Sequence, residues 1–329
     1  MKKTRILTAF LSLTLLASLS LTGCGKSKET TTLLMADVQE GEHPTAIACD
    51  EFAEMVYKRT NGRINIEVYH GDTLGSESEQ MQQLTVGGLD LARLSGPISN
   101  YNPEFKAFQA LYLYDSEDDM WDILNSSVGD ELLNSKEFDE NNLVGLCWFS
   151  GGSRNFYNSK KEIKSPKDLE GLTFRVTTDS MFALLEKNGA TGKNIAYNDI
   201  LSSISDGVID GAENNWPSYI STEHYKVAKY ITIDQHCCIP EMIIASKSSL
   251  ESLSQEDQDI IKECAKEISA KQIKAMKDYE EEAMKKAEKE GVTITYLSDE
   301  ASKEFHKQGA EINQEISADL MDTIKHITK

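Results

Sequence analysis

A strand–helix–strand rhythm after residue 30 constrains the fold of this chain more than any other feature. Residues 31–38 (TTLLMADV) read as a strand, and 44–62 carry apolar residues at helical spacing up to Asn61-Gly62, a helix stop. Residues 63–71 (RINIEVYHG) alternate strictly and read as a second strand. Residues 76–88 form a short amphipathic helix with an acidic first turn, ended by Gly87-Gly88, before a third strand at 89–95 (LDLARLS). Such a β-α-β-α-β run predicts a parallel or mixed sheet with helices on its faces.

The rhythm resumes further on. Helical signals at 117–133 precede an apolar strand at 143–150, a turn and extended piece at 151–163, and a helix start at 165–172 with Ser165 capping and Pro166 at its first position. Strand 172–176, helix 180–189, helix 198–210 and a strand-to-loop passage at 211–216 follow, and residues 229–246 hold two strands broken near Pro240. From Ser252 to about Glu290 the chain is charged and helical, a solvated brace. A strand at 292–297 and a final helix from Asp299 close it. Two β/α-rich halves predict two lobes, with crossings near residues 148–152 and 236–242; a double crossing makes a hinge.

Arginine usage points to the site. Of 34 Lys plus Arg, only six are arginine, and three of these, Arg93, Arg154 and Arg175, sit at or near strand ends. Ligands of open α/β sheets collect beyond the carboxyl ends of strands. A guanidinium stays ionised and matches a carboxylate with two parallel hydrogen bonds, and when desolvated it needs a partner. That partner is an internal acid or a bound anion; three such arginines in similar settings favour the anion. Asn214 and Asn215 in GAENNWP, Glu42 and His43 after the first strand, Glu77 at a helix start, and His236 before the strand break are further candidate contacts. Glu79 is read as a helix-dipole residue.

The bulk properties exclude several classes. The chain has 329 residues and a formal charge of −20, which argues against nucleic acid. Residues 1–23 have the basic, apolar, small-residue order of a signal peptide, and Leu21-Thr22-Gly23-Cys24 resembles a lipobox. Cys24 is therefore expected to carry lipid, with residues 24–32 as a flexible stalk to the outer face of a membrane. The five other cysteines lack CxxC spacing, and the vicinal Cys237-Cys238 reads as buried side chains, not as a disulfide or metal site. No nucleophile–base pair, phosphate loop, dinucleotide fingerprint or metal-spaced histidine pair occurs, so neither a catalytic residue, a metal nor a cofactor is expected.

The segment 151–176 (GGSRNFYNSKKEIKSPKDLEGLTFRV), with 198–219 (NDILSSISDGVIDGAENNWPSY), 42–80 and VGDELL at 128–133, resembles the solute-binding proteins of TRAP transporters over essentially the whole mature chain. The resemblance implies an α/β, two-lobed, periplasmic-binding-protein-like fold: mixed sheets flanked by helices, and a long helix bracing both lobes. Lobe I would comprise 33–149 with about 238–280, and lobe II 150–237 with about 281–329. It implies closure around a small organic acid, with Arg175 as the main bidentate contact and Arg154 and Asn214 completing the set. It also implies delivery to two integral membrane permease subunits without ATP. Arg93, GAENNWPSY and the DQH…IPE stretch resemble members that bind hexuronates. In such a reading hydroxyls would fall to Asn214, Glu77, Glu42 and His236, and Arg93 would be a third cation or a hydroxyl contact. The chain departs from the family at Thr177-Thr178-Asp179, beside Arg175, where Thr177 is a further candidate contact, and in having Asp199 for the usual glutamate. The alternatives are a C4-dicarboxylate or keto-acid binder of the same fold, a sensor-associated binder, and a secreted sugar-acid lyase with His236 as base.

Overall fold

The computed structural model describes residues 30–114, 116–316 and 318–328. The expected signal peptide, Cys24 and most of the expected stalk lie outside the described residues. In chain order the elements are β1 (Thr31–Asp37), α1 (Pro44–Arg59), β2 (Ile64–His70), α2 (Glu77–Thr85), β3 (Leu91–Leu94), α3 (Glu117–Leu124), α4 (Ser127–Leu133), α5 (Lys136–Glu140), β4 (Leu143–Phe149) and β5 (Ser153–Asn158). They continue with β6 (Thr173–Arg175), α6 (Asp179–Lys187), β7 (Thr191–Lys193), α7 (Ile200–Ser205), β8 (Gly211–Asn214), α8 (Trp216–Ser221), β9 (Tyr230–Cys238) and β10 (Glu241–Ser246). The chain ends through α9 (Lys247–Glu251), α10 (Gln255–Lys289), β11 (Thr293–Tyr296), α11 (Asp299–Ile316) and α12 (Ala318–Ile327).

Two mixed sheets result. The first has the order β2-β1-β3-β10-β4 and the second β11-β9-β5-β8-β6-β7. In the first, β1 runs parallel to β2 and β3, while β10 is antiparallel to β3 and β4. In the second, β6 is parallel to β7 and β8, and β5 is antiparallel to β8 and β9. These directions have one consequence. The ends of β1, β3 and β4 and the start of β10 share one edge of the first sheet. The ends of β6, β8 and β9 and the start of β5 share one edge of the second. The chain crosses twice between those edges, at 150–152 and at 239–240.

The crossings are packed against each other. Gly152 has φ +64°, a conformation that glycine adopts without strain. At Gly151 a Cβ would lie 2.2 Å from the Ile239 carbonyl oxygen of the other crossing, so only glycine fits. Helix α10 braces both lobes. Ile261, Cys264, Ala265 and Ile268 pack with Phe52 and Phe149 against the first sheet, and Ala283 and Ala287 pack with Trp216 and Tyr219 on the second. Its 35 residues span about 52 Å at ~1.5 Å per residue. Midway, buried Gln272 accepts from the Ser150 amide (2.7 Å) and donates to the Ser150 carbonyl and Thr45 Oγ1 (both 3.0 Å), fixing the first crossing to the helix.

Local differences from the sequence reading have simple causes. The signals at 117–133 form two helices, because Asn125 closes α3 and Ser126 caps α4. The start at Pro166 gives one 3-10 turn, closed before Gly171 (φ +79°). Strand β1 begins inside the expected stalk, since Thr31 and Thr32 pair with Ile64 and Asn65. The C-terminal segment expected with lobe II is shared. Helix α11 places Phe305 and Ile312 against α6, whereas α12 buries Ile324 and Ile327 in the first sheet's core beside Phe105 and Phe108. Cys49, Cys147, Cys237, Cys238 and Cys264 are all buried free thiols.

Candidate ligand-binding site

The facing sheet edges gather the polar residues that a buried strand would otherwise exclude. On the second sheet, β6 ends at Arg175, β8 ends at Glu213-Asn214, β5 opens with Ser153-Arg154, and β9 brings His236 alongside. On the first, β1 ends at Asp37, β3 carries Arg93, and Glu241 opens β10.

Arg154 is tied into its own lobe. Its Nε and Nη2 donate to the two carboxylate oxygens of Glu213 (2.5 and 3.0 Å), Nη2 also to the Glu213 carbonyl (2.9 Å), and Nη1 to Asn214 Oδ1 (3.1 Å). Glu213 meets His236 Nε2 at 3.2 Å, His236 Nδ1 meets Asp234 Oδ2 at 2.9 Å, and the Tyr112 hydroxyl donates to Asp234 Oδ2 (3.0 Å). Two cations and two acids thus alternate in a buried row. Burial alone would raise the Glu213 pKa, but the Arg154 charge and the hydrogen bonds from His236 and Arg154 hold it down at about 2. Burial alone would lower that of His236, but Asp234 lifts it well above the ordinary imidazole value.

Arg175 differs. It is buried at 8% exposure, and its one hydrogen bond among the described residues runs from Nε to the Ile195 carbonyl (3.0 Å). Among the described residues no carboxylate lies within ion-pair distance of it. Burial lowers its pKa, Glu213 opposes that, and the neighbouring Arg154 charge adds to it. The two Nη groups form the face that a planar carboxylate fits. His224, also buried, is held neutral, its pKa lowered to about 3 by burial and by the Arg175 charge.

Arg93 was expected as a third cation or a hydroxyl contact; the fold pairs its charge with acids of its own lobe. Fully buried, it contacts Asp37 (2.7 Å), Glu77 (2.9 Å) and Glu241 (3.1 Å), all from its own lobe. The Arg93 Nη2 contact with Asp37 is a charge contact off the hydrogen-bond axis, the aligned bond being from Nε (2.8 Å). Glu77 also accepts from the Ser95 hydroxyl (3.0 Å). Tyr197 joins the two ends of the site. Its hydroxyl donates to Gln39 Oε1 across the lobes (2.9 Å), and the charges of both Arg93 and Arg175 reach it. Beside it, Val38 and Glu40 face Leu201, Thr222 and His224 across an interlobe cavity of about 250 Å³.

The remaining candidates have other positions. His43 caps α1, its Nδ1 accepting from the Thr45 amide (3.1 Å), and Nε2 reaches Ser218 Oγ of the other lobe at 3.4 Å. Burial lowers its pKa to about 3. Asn215 caps α8 through Oδ1 and donates from Nδ2 to the Gly151 carbonyl (2.6 Å), so its amide is committed to structure. Glu42 is exposed before α1, where its charge acts on Tyr279 of α10, and Thr177 is exposed after β6. Glu213 belongs to the same GAENNWP group as Asn214 and Asn215, whereas Asp234, Tyr197, Gln39, Asp37 and Glu241 were not singled out as contacts. The detectable signal was a carboxylate inside an apolar strand, as in MADV and IPEM.

Two lobes joined by a double crossing, with a buried guanidinium at their seam that has no acid of its own among the described residues, are the arrangement expected of a solute-binding protein. The comparisons agree. Residues 35–319 match the model of the bacterial extracellular solute-binding protein, family 7, and the chain belongs to this family, the solute-binding proteins of TRAP transporters. A solute-binding protein of Chromohalobacter salexigens is 31% identical over 268 residues, 81% of this chain and 79% of that one. A TRAP periplasmic solute-binding protein of Sulfitobacter sp. NAS-14.1, solved with bound β-D-galacturonate, is 29% identical with TM-score 0.85, covering 91% of this chain and 99% of that one. One from Chromohalobacter salexigens with bound D-glucuronate is 30% identical with TM-score 0.84, covering 90% and 99%.

Proposed function

We propose that this protein captures a hexuronate, such as D-glucuronate or D-galacturonate, outside the cytoplasmic membrane and hands it to the permease subunits of a TRAP transporter. Cys24 is the lipid-bearing residue in this reading. The observation that carries it is the state of Arg175, a buried guanidinium without an acid of its own among the described residues. Arg154 and His236 are balanced by Glu213 and Asp234, so one cation remains uncompensated at that end of the cleft. One carboxylate matches one such cation.

Arg175 receives the carboxylate as a fork. Arg154 has five N–H groups and uses four within the protein, leaving one Nη1 hydrogen for the ligand. Asn214 spends its Oδ1 on Arg154 and on the Asn215 amide, leaving its amide hydrogens as donors. Tyr197 and the acid-rich lobe I wall face the hydroxyls. The solved relatives with bound galacturonate and glucuronate support this choice of ligand. The protein binds and releases without making or breaking a bond. A lyase would need His236 as base, and both of its ring nitrogens are engaged by Glu213 and Asp234.

A thermal-shift panel of hexuronates, aldonates, keto acids, sialic acid and C4-dicarboxylates tests the reading. At 100 times its dissociation constant the cognate acid adds about 2.7 kcal/mol. Hexuronates should give the largest shifts and be recovered unchanged. A larger shift from a C4-dicarboxylate with none from any uronate overturns it.

A further inference from the structure

The lobe I side of the cleft holds more acid than Arg93 requires. Arg93 meets three carboxylates, from Asp37, Glu77 and Glu241, at 2.7, 2.9 and 3.1 Å, and Asp37 is shared with the charged His70 ring (3.5 Å), so two cations face three acids. Glu241 is 6% exposed, and its Oε1 accepts from Arg93 Nη1 (3.1 Å). Its Oε2 is fully buried and has no hydrogen-bond partner among the described residues. A buried carboxylate oxygen in that condition is satisfied only by a donor from outside the protein.

The position of Glu241 shows where such a donor comes from. It opens β10 directly after the second crossing, and its Cγ would lie 3.3 Å from a Cβ placed on Gly151 of the first crossing. The Arg154 charge of lobe II reaches it as well. Glu241 therefore borders the floor of the cleft between the Arg93 and Arg154 ends. A hydroxyl supplies the hydrogen that Oε2 lacks; a carboxylate supplies only acceptors and a like charge.

We infer that Glu241 is the specificity-determining residue that admits a polyhydroxylated monoacid and rejects a diacid. With the ligand carboxylate on Arg175, the far end of the ligand meets Glu241. There a hydroxyl donates to Oε2 and a second carboxylate is repelled. This inference rests on the hexuronate reading above.

Protonation gives a second handle on the same residue. Burial first, then the Glu77 and Asp37 charges, outweigh Arg93 and raise the Glu241 pKa to about 7. The charged groups facing it are Arg93 on β3, Asp37 on β1, Glu77 on α2 and Arg154 on β5. Cys49 on α1 also lies within range, its thiol kept protonated by burial. Lowering pH from 8 to 5.5 neutralises Glu241 while sugar carboxylates, with pKa near 3.5, stay ionised.

The test is calorimetric binding of D-glucuronate and of D-glucarate, the same six-carbon skeleton with a carboxylate at both ends. Wild type at pH 8 should prefer D-glucuronate by at least about a hundredfold. Glu241→Gln keeps the acceptor for Arg93 but removes the charge, and should narrow that preference by about tenfold or more. Wild type should show the same narrowing at pH 5.5, which needs no variant to fold. If wild type takes both acids equally, or if its preference changes neither with Glu241→Gln nor with pH, the inference is overturned while hexuronate binding stands. A wild type that binds no uronate overturns the underlying reading and the inference with it.

Discussion

Glu213→Gln tests the view that the row of alternating charges, and not the apolar core alone, holds lobe II together at the cleft. Glu213 is 1% exposed and takes Arg154 with both oxygens, and His236 with one. Glutamine keeps one acceptor and loses the charge, leaving Arg154 buried without a counter-ion. Breaking a buried pair from one side costs about 3 kcal/mol at the low end of the usual range. Proton linkage gives an independent figure. A pKa lowered from 4.5 to about 2 corresponds to ~3 kcal/mol of folded-state preference for the carboxylate at neutral pH. For about 300 folded residues the entropy of unfolding is ~0.6 kcal/mol per kelvin, so ~3 kcal/mol lowers Tm by roughly 5 °C. Because the folded pKa is depressed, this stability is present above pH 4.5 and is lost as pH falls through about 2. Differential scanning calorimetry should thus show a gap of roughly 5 °C at pH 7.5 that shrinks below pH 4. A variant melting within 1 °C of wild type at pH 7.5 would mean that the charge row does not hold lobe II together at the cleft.

Two further outcomes follow from the hinge. Gln272→Ala strips the buried Ser150 amide and carbonyl of their side-chain partner and should cost about 2 kcal/mol, with faster hydrogen exchange at 150–152; unchanged exchange there would refute the clamp. His43 has its folded pKa lowered to about 3, so its share of stability is present above pH 6.5 and lost as pH falls toward 3. His43→Asn keeps a capping acceptor for the Thr45 amide and removes that titration. The Tm of this variant should fall less than that of wild type between pH 6.5 and 4.5. Part of the slope remains through His224, whose pKa is also lowered to about 3.

The sequence made the architecture legible because its strands and helices carry clean periods and its stops are chemically plain. The two crossings, the brace over 255–289 and the sheet-edge location of Arg175 were all readable from residue order. The fates of the three strand-end arginines were not. Arg93, Arg154 and Arg175 look alike locally, and what separates them is partners brought by the fold. Glu241 is 148 residues from Arg93, Glu213 is 59 from Arg154, and among the described residues Arg175 hydrogen-bonds only to a backbone carbonyl 20 residues away. His43 and Asn215 looked like ligand contacts because polar residues after a strand often are; both precede a helix and cap it. Helix α12 carries an amphipathic pattern that fits either lobe, and only tertiary packing assigns it to the first.

In the proposed reading the Arg175 fork, which has no acid of its own among the described residues, anchors the ligand carboxylate. Titrating D-glucuronate into Arg175→Lys tests it most directly, since lysine keeps the charge and loses the planar pair of donors. Losing one charge-assisted hydrogen bond of about 2 kcal/mol predicts affinity roughly 30-fold weaker than wild type, at unchanged Tm of the free protein within about 2 °C. Affinity equal to wild type in Arg175→Lys would show that the planar fork is not what holds the carboxylate.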